Sequence, residues 1–192
     1  MTSKSFETWR TIRAKALNEI VAAHHAVGGT GPGRRVATQQ LNHAFAVLLS
    51  SQFQGFCRDL HSECARLLAK GVTPISLIPI LEAEFIQGRK LDKGNPNPGN
   101  IGTDFARFGL KFWDHVIQLD PQNSIRKSAL ELLNEWRNSI AHQDFNLTKL
   151  GGFATLQLGQ VRRWRVACDV LAISFDEVMR RYISTILGAS PW

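Results

Sequence analysis

From Val36 to Cys57 the chain carries no Asp, Glu, Lys or Arg, yet it is dense in Leu, Phe and Ala. Gln39, Gln40, Asn42, His43, Ser50, Ser51, Gln52 and Gln54 interrupt the stretch, too many polar groups for a membrane span. Between Ala37 and Lys70, the residues Leu41, Phe45, Leu48, Leu49, Phe56, Leu60, Cys64 and Leu67 recur at helical spacing. A long helix whose first half is uncharged must be covered on most sides, as the central helix of a bundle is. Gly71 and Pro74 follow in the order expected of a helix stop.

The remaining segments supply the covering helices. Phe6, Trp9, Ile12, Ala16 and Ile20 predict a first helix from about Ser5 to Ala26. The glycine-rich run Gly28 to Gly33 breaks it, giving a loop over 27–35. A shorter helix is expected from Ile78 to Phe85, followed by a Gly-, Asn- and Pro-rich loop over 86–101. Phe105, Phe108, Phe112, Val116 and Leu119 restart the period. Asp120-Pro121 then opens a helix striped by Ile125, Ala129, Leu132, Leu133, Trp136 and Ile140. Val161, Trp164, Cys168, Leu171, Phe175 and Met179 mark a last long helix, from roughly Gln157 to Leu187. Only Phe153 to Leu158 suggests a short extended piece. The expectation is an all-α bundle of about five to six helices, two of them long, in one domain over residues 1–192.

Composition narrows the class further. With 192 residues, 44% apolar and 20% charged, the chain can bury a sizeable core and is no disordered tail. Cys57, Cys64 and Cys168 are odd in number, and two fall on one predicted helix. They read as reduced thiols rather than a disulfide framework. The first residues, Met1 to Glu7, contain no apolar signal core. Both points lead us to expect a cytoplasmic protein without membrane attachment. The 23 Lys and Arg against 16 Asp and Glu give +7, which favours weak, salt-sensitive affinity for nucleic acid. No short helix-turn-helix of a DNA-binding regulator is evident.

The segment richest in chemistry is Asn134-Glu135-Trp136-Arg137-Asn138-Ser139-Ile140-Ala141-His142-Gln143-Asp144-Phe145. It resembles the signature of the HEPN superfamily, in which Arg, often followed by Asn, precedes a His by four to six residues near a helix end. Phe53-Gln54-Gly55-Phe56-Cys57-Arg58-Asp59-Leu60 is similar to the second-helix pattern of the RiboL-PSP and MAE-type HEPN families, which commonly carry Glu where Gln54 stands. The resemblance implies a HEPN-like helical bundle and a metal-independent endoribonuclease acting as a homodimer. Many such relatives are toxins or abortive-infection effectors, so an antitoxin or regulatory protein is an implied partner. The alternative is a non-catalytic HEPN-like module that binds RNA or protein.

The residues support this chemistry on their own terms. Positions five apart on a helix differ by roughly 140°, so Arg137 and His142 cannot share one face, whereas Asn138 and His142, four apart, can. Imidazole titrates near neutral pH and can move the 2′-hydroxyl or leaving-group proton. Arginine offers a permanently charged donor fork to the phosphate, and Asn138 is placed to orient His142 or contact substrate. From Phe145 to Cys168 there is no Asp or Glu, while Lys149, Arg162, Arg163 and Arg165 are basic; these four are the expected RNA-backbone contacts, with Trp164 assigned to the core. Cys57, His61 and Cys64 share a helical face, but a structural zinc site needs a fourth ligand. No metal or cofactor is expected.

Overall fold

The computed structural model describes residues 1–28 and 35–192. The first helical run comprises α1 (Lys4–Thr8), a π-helical turn over Trp9–Arg13, and α2 (Ala14–Gly28). Ser3 caps it through Oγ, which accepts from the Phe6 N–H, and Glu63 accepts from the N–H groups of Lys4 and Ser5. A carboxylate at that end offsets the positive pole of the helix. The π turn explains why Ile12, expected inside, is 70% exposed while Leu17 is fully buried. Its extra residue per turn rotates everything beyond it, so Arg13 and Leu17 inherit the inward positions.

The charge-poor segment forms α3 (Arg35–Lys70). Phe45, Leu49, Phe53, Phe56, Leu60 and Cys64 are all buried along it, and it packs against α2, α8 (Asn123–His142) and α9 (Leu158–Leu187). It is the central helix that its lack of charge predicted. The expected stripe of α9, Val161 to Met179, is buried throughout, Trp164 included. In α8 the inward residues are Leu130, Leu133, Asn134, Trp136 and Ser139. Ile125, expected on that stripe, is 65% exposed. In this first turn Asn123 faces inward instead, donating to the Val116 carbonyl and Ser174 Oγ.

The short connecting helices are more numerous than the sequence suggested. They are α4 (Ile78–Ile86), α5 (Lys90–Lys93), α6 (Pro98–Phe105) and α7 (Phe112–Leu119). The supposed 86–101 loop therefore contains α5 and the start of α6. Gly109, at φ 87°, breaks the apparent Phe105–Leu119 helix between α6 and α7, a conformation available to glycine without steric cost. Residues 153–157 adopt no strand, and no strand occurs among the described residues. Most of the 27–35 loop lies outside the described residues. No helix among those described is long and apolar enough to cross a membrane.

Candidate active site

Helix α8 delivers the motif to the molecular surface. Upstream it is anchored by Asn134, 2% exposed. Its Oδ1 accepts from Ser50 Oγ of α3 at 3.0 Å, and its Nδ2 donates to the Pro96 carbonyl at 3.1 Å. Downstream the helix ends immediately after His142. Gln143 takes the left-handed conformation (φ 56°) and its N–H returns to the Ser139 carbonyl. A non-glycine residue in that region costs roughly 1–2 kcal/mol, and here it stops the helix with His142 in its last turn. His142 is exposed, and no hydrogen bond or ion pair engages its side chain among the described residues.

Arg137 lies a quarter-turn or more from Asn138 around the helix, yet its long side chain spans the gap. Nη1 donates to Asn138 Oδ1 at 3.2 Å. The same oxygen accepts from Asn95 Nδ2 at 2.9 Å. With Oδ1 doubly engaged, the Asn138 amide is oriented and its N–H₂ group is left facing away from both donors. Arg137 and His142 do not bond to each other, as their helical offset requires. Nor does the Asn138 side chain bond to the His142 ring.

Asn95 went unnoticed in the sequence, although it organises the segment beneath the motif. Its Oδ1 accepts from the N–H and Nδ2 of Asn97, and its carbonyl accepts from Asn100 Nδ2. Asn97 caps α6 by accepting from the Asn100 N–H, with Pro98 in the first helical turn. A readable signal was present: Asn97-Pro98 is the same cap-then-proline pairing that marks Asp120-Pro121. Gly94 admits this packing, because a Cβ there would stand 2.7 Å from Asn100 Nδ2. Gln54 of α3 closes the arrangement, with Nε2 donating to the carbonyls of Leu91 and Gly94 at 2.6 and 2.7 Å. Both contacts need a donor, which a carboxylate at this position could not supply.

Behind this loop sits a buried polar cluster. Arg89, 5% exposed, donates to Asp92, the Arg58 carbonyl and Ser62 Oγ. His61 Nε2 meets the Asp104 carbonyl at 3.0 Å, so that nitrogen carries the proton, and Nδ1 faces Arg89 Nη1 at 3.4 Å. Burial, reinforced by the neighbouring guanidinium, holds His61 down to about 4. Both ring nitrogens are thus turned toward protein partners rather than toward Cys57 and Cys64. Burial also pushes those two thiols well up. Groups of three or more metal-ligating side chains are not found among the described residues.

Past His142, Phe145 stacks on His43 of α3, with ring centroids 5.8 Å apart, and lies 6.4 Å from the ring of Trp136. The basic residues beyond are not equivalent. Lys149, Arg162 and Arg163 are exposed, Arg162 against His25 at 2.7 Å and Arg163 against Gln160 at 2.6 Å. Arg165 is half-buried and leans toward Asp169 at 3.9 Å, whose carboxylate also accepts from Trp9 Nε1. Three of the four therefore reach solvent, while the fourth is drawn toward the bundle.

The RiboL-PSP-HEPN family model matches residues 10–186, a span that includes Gln54, the asparagine loop and the α8 motif. The chain belongs to the RiboL-PSP-HEPN family. No curated protein and no solved structure matches it. Within this HEPN chain, α3 and α8 meet through Ser50–Asn134, and residues 94–97 link Gln54 of α3 to Asn138 of α8.

Proposed function

We propose that this HEPN protein is a metal-independent endoribonuclease whose reaction centre is the exposed end of α8. The observation that carries the reading is the Asn95–Asn138–Arg137 bracket on the same helix as His142, whose side chain has no partner among the described residues. The RNA 2′-hydroxyl attacks the adjacent phosphorus, forming the O2′–P bond as the P–O5′ bond breaks. Imidazole serves as the proton carrier, taking the 2′ proton or supplying one to the 5′ oxygen. Arg137 donates to the non-bridging oxygens as charge builds there, with Asn138 Nδ2 as a second donor. The products are a 2′,3′-cyclic phosphate and a 5′-hydroxyl. DNA is refused because it lacks the nucleophile.

Pairing two copies about a twofold axis would bring two Arg137–His142 sets into one cleft, and twofold dimers are the commonest assemblies. We take the active form to be such a homodimer, in the cytoplasm, acting as a toxin or anti-phage effector held in check by an antitoxin or regulatory protein. Gln54 favours a second reading, since an amide used as a structural tie leaves no carboxylate at that position. In that reading the chain binds RNA or a protein without cutting. Incubation with RNA in EDTA separates the two. Wild type should cleave, and Arg137→Ala and His142→Ala should each lose about 100-fold or more. Binding without cleavage by wild type, or cleavage unchanged in both variants, would sink the nuclease reading.

A further inference from the structure

Past the end of α8 the chain presents large apolar side chains to solvent. Phe145, Leu147 and Phe153 are 40%, 49% and 54% exposed. The segment that carries them is a built turn. Leu150 is fully buried, its N–H donates to the carbonyls of Asn146 and Leu147, and the Gly152 N–H returns to the Leu147 carbonyl at 2.8 Å. Gly151 and Gly152, at φ 70° and 81°, supply the left-handed backbone of that return. Leu147 and Phe153 are thus held on either side of one turn. Trp136 joins Phe145 to the group, with its ring 6.4 Å from that of Phe145 and a small cleft shared with Phe153 and Arg163. Exposed apolar side chains gathered in one place and rimmed by polar ones mark an interaction surface. The charges on this rim are of one sign. Lys149 and Arg163 are exposed, Arg162 adjoins them, and the chain has no Asp or Glu between Asp144 and Asp169. Arg163 donates to Gln160 Oε1, and no carboxylate pairs with Lys149 or Arg163 among the described residues.

We propose that this surface docks an acidic polypeptide segment with bulky apolar residues among its carboxylates, and that the docked segment inhibits the reaction centre beside it. The partner's apolar side chains cover Phe145, Leu147 and Phe153, and its carboxylates answer Lys149 and Arg163, which is the arrangement of an apolar interface core with a polar rim. A second copy of this chain is the poorer occupant. A twofold contact repeats one patch on both partners, and would set these cations against each other with no acid among them. RNA would satisfy the cations, but Leu147 has no ring on which a base can stack. Phe145 follows His142 by three residues, so the docked segment stands next to the imidazole and takes cations that RNA phosphates would use. The inhibition rests on the nuclease reading, whereas the docking does not.

The test selects short random peptides displayed on phage against the full wild-type chain, then measures the affinity of the enriched peptides by fluorescence anisotropy. Those peptides should carry an excess of Asp and Glu with Leu, Phe or Trp among them. Replacing either their acids by amides or their apolar residues by Ser should weaken binding by about 10-fold or more, the scale of a truncated interface anchor. On the protein, Leu147→Ser with Phe153→Ser, and separately Lys149→Glu with Arg163→Glu, should each cost about as much. All four side chains are exposed, so the thermal midpoint should stay put in both variants. Enriched peptides without an acidic excess, or an affinity that either double variant leaves unchanged, overturn the docking surface. A saturating peptide should also slow RNA cleavage by wild type about 10-fold or more. Should wild type fail to cleave while the peptide results persist, the nuclease reading falls and the docking surface stands. Should wild type cleave at the same rate with the peptide bound, the inhibition falls and the nuclease stands.

Discussion

Gln54 occupies the position where related HEPN families commonly carry Glu, and restoring that carboxylate should harm this protein. The Gln54 amide donates to the carbonyls of Leu91 and Gly94 at 2.6 and 2.7 Å. Each such bond contributes roughly 0.5–1.5 kcal/mol net, and a buried acceptor left without its donor adds to the loss. Gln54→Glu removes both donors and turns a negative charge toward two carbonyl oxygens. A cost of about 2–4 kcal/mol follows. For a chain of this size that corresponds to a fall in Tm of roughly 4–16 °C. The sign of its pH dependence is also fixed. The carbonyls raise the carboxyl pKa in the folded state, so the protonated form, which can donate one bond, is favoured there. The penalty is therefore smallest below the unfolded pKa and grows as pH rises through the folded one. Thermal melts of wild type and Gln54→Glu at pH 5 and pH 8 measure this directly. A variant as stable as wild type at pH 8, or one relatively more stable at pH 8 than at pH 5, would refute the reasoning.

Asn95→Ala takes away the donor that fixes Asn138 Oδ1, and should slow single-turnover RNA cleavage by roughly 10-fold, about one hydrogen bond, while RNA affinity stays within twofold. A loss of affinity with an unchanged rate would mean that Asn95 acts elsewhere. His61, with its folded pKa lowered from 6.5 to about 4, makes stability depend on acid. Between those values the unfolded chain binds a proton that the folded chain refuses, so stability present above pH 6.5 is lost as pH falls toward 4. The upper bound is roughly 3 kcal/mol. Urea titrations at pH 7 and pH 5 should show the drop, and His61→Phe should shrink it; a pH-independent midpoint would contradict this assignment.

The fold was legible where periodicity ran long. The stripes of α3 and α9 placed Phe45, Leu60, Trp164 and Phe175 in the core, and all four are buried. Periodicity failed where local backbone shifted the phase. The π turn at Trp9–Arg13 put Ile12 outside, and Gly109 split a run of phenylalanines into two helices. Of the proposed site, Arg137, Asn138 and His142 could be picked out from the sequence because their spacing resembles a family signature on one helix. Their support could not. Asn95 and Gln54 lie 43 and 84 residues from Asn138 along the chain, and hydrogen bonds between asparagines, glutamine and carbonyls leave no period to read. Asn97-Pro98 could have announced α6, but its partner across the fold could not be inferred from it.

Attack by the RNA 2′-hydroxyl is tested most directly by a single-atom change in the substrate. A short RNA that the wild-type protein cuts at one position would be remade with 2′-deoxyribose only at the nucleotide 5′ of that cut, and incubated with the protein in EDTA. Cleavage there should disappear, while the all-ribose RNA yields a 2′,3′-cyclic phosphate end. Cleavage of the deoxy-substituted bond at an undiminished rate would contradict attack by that hydroxyl.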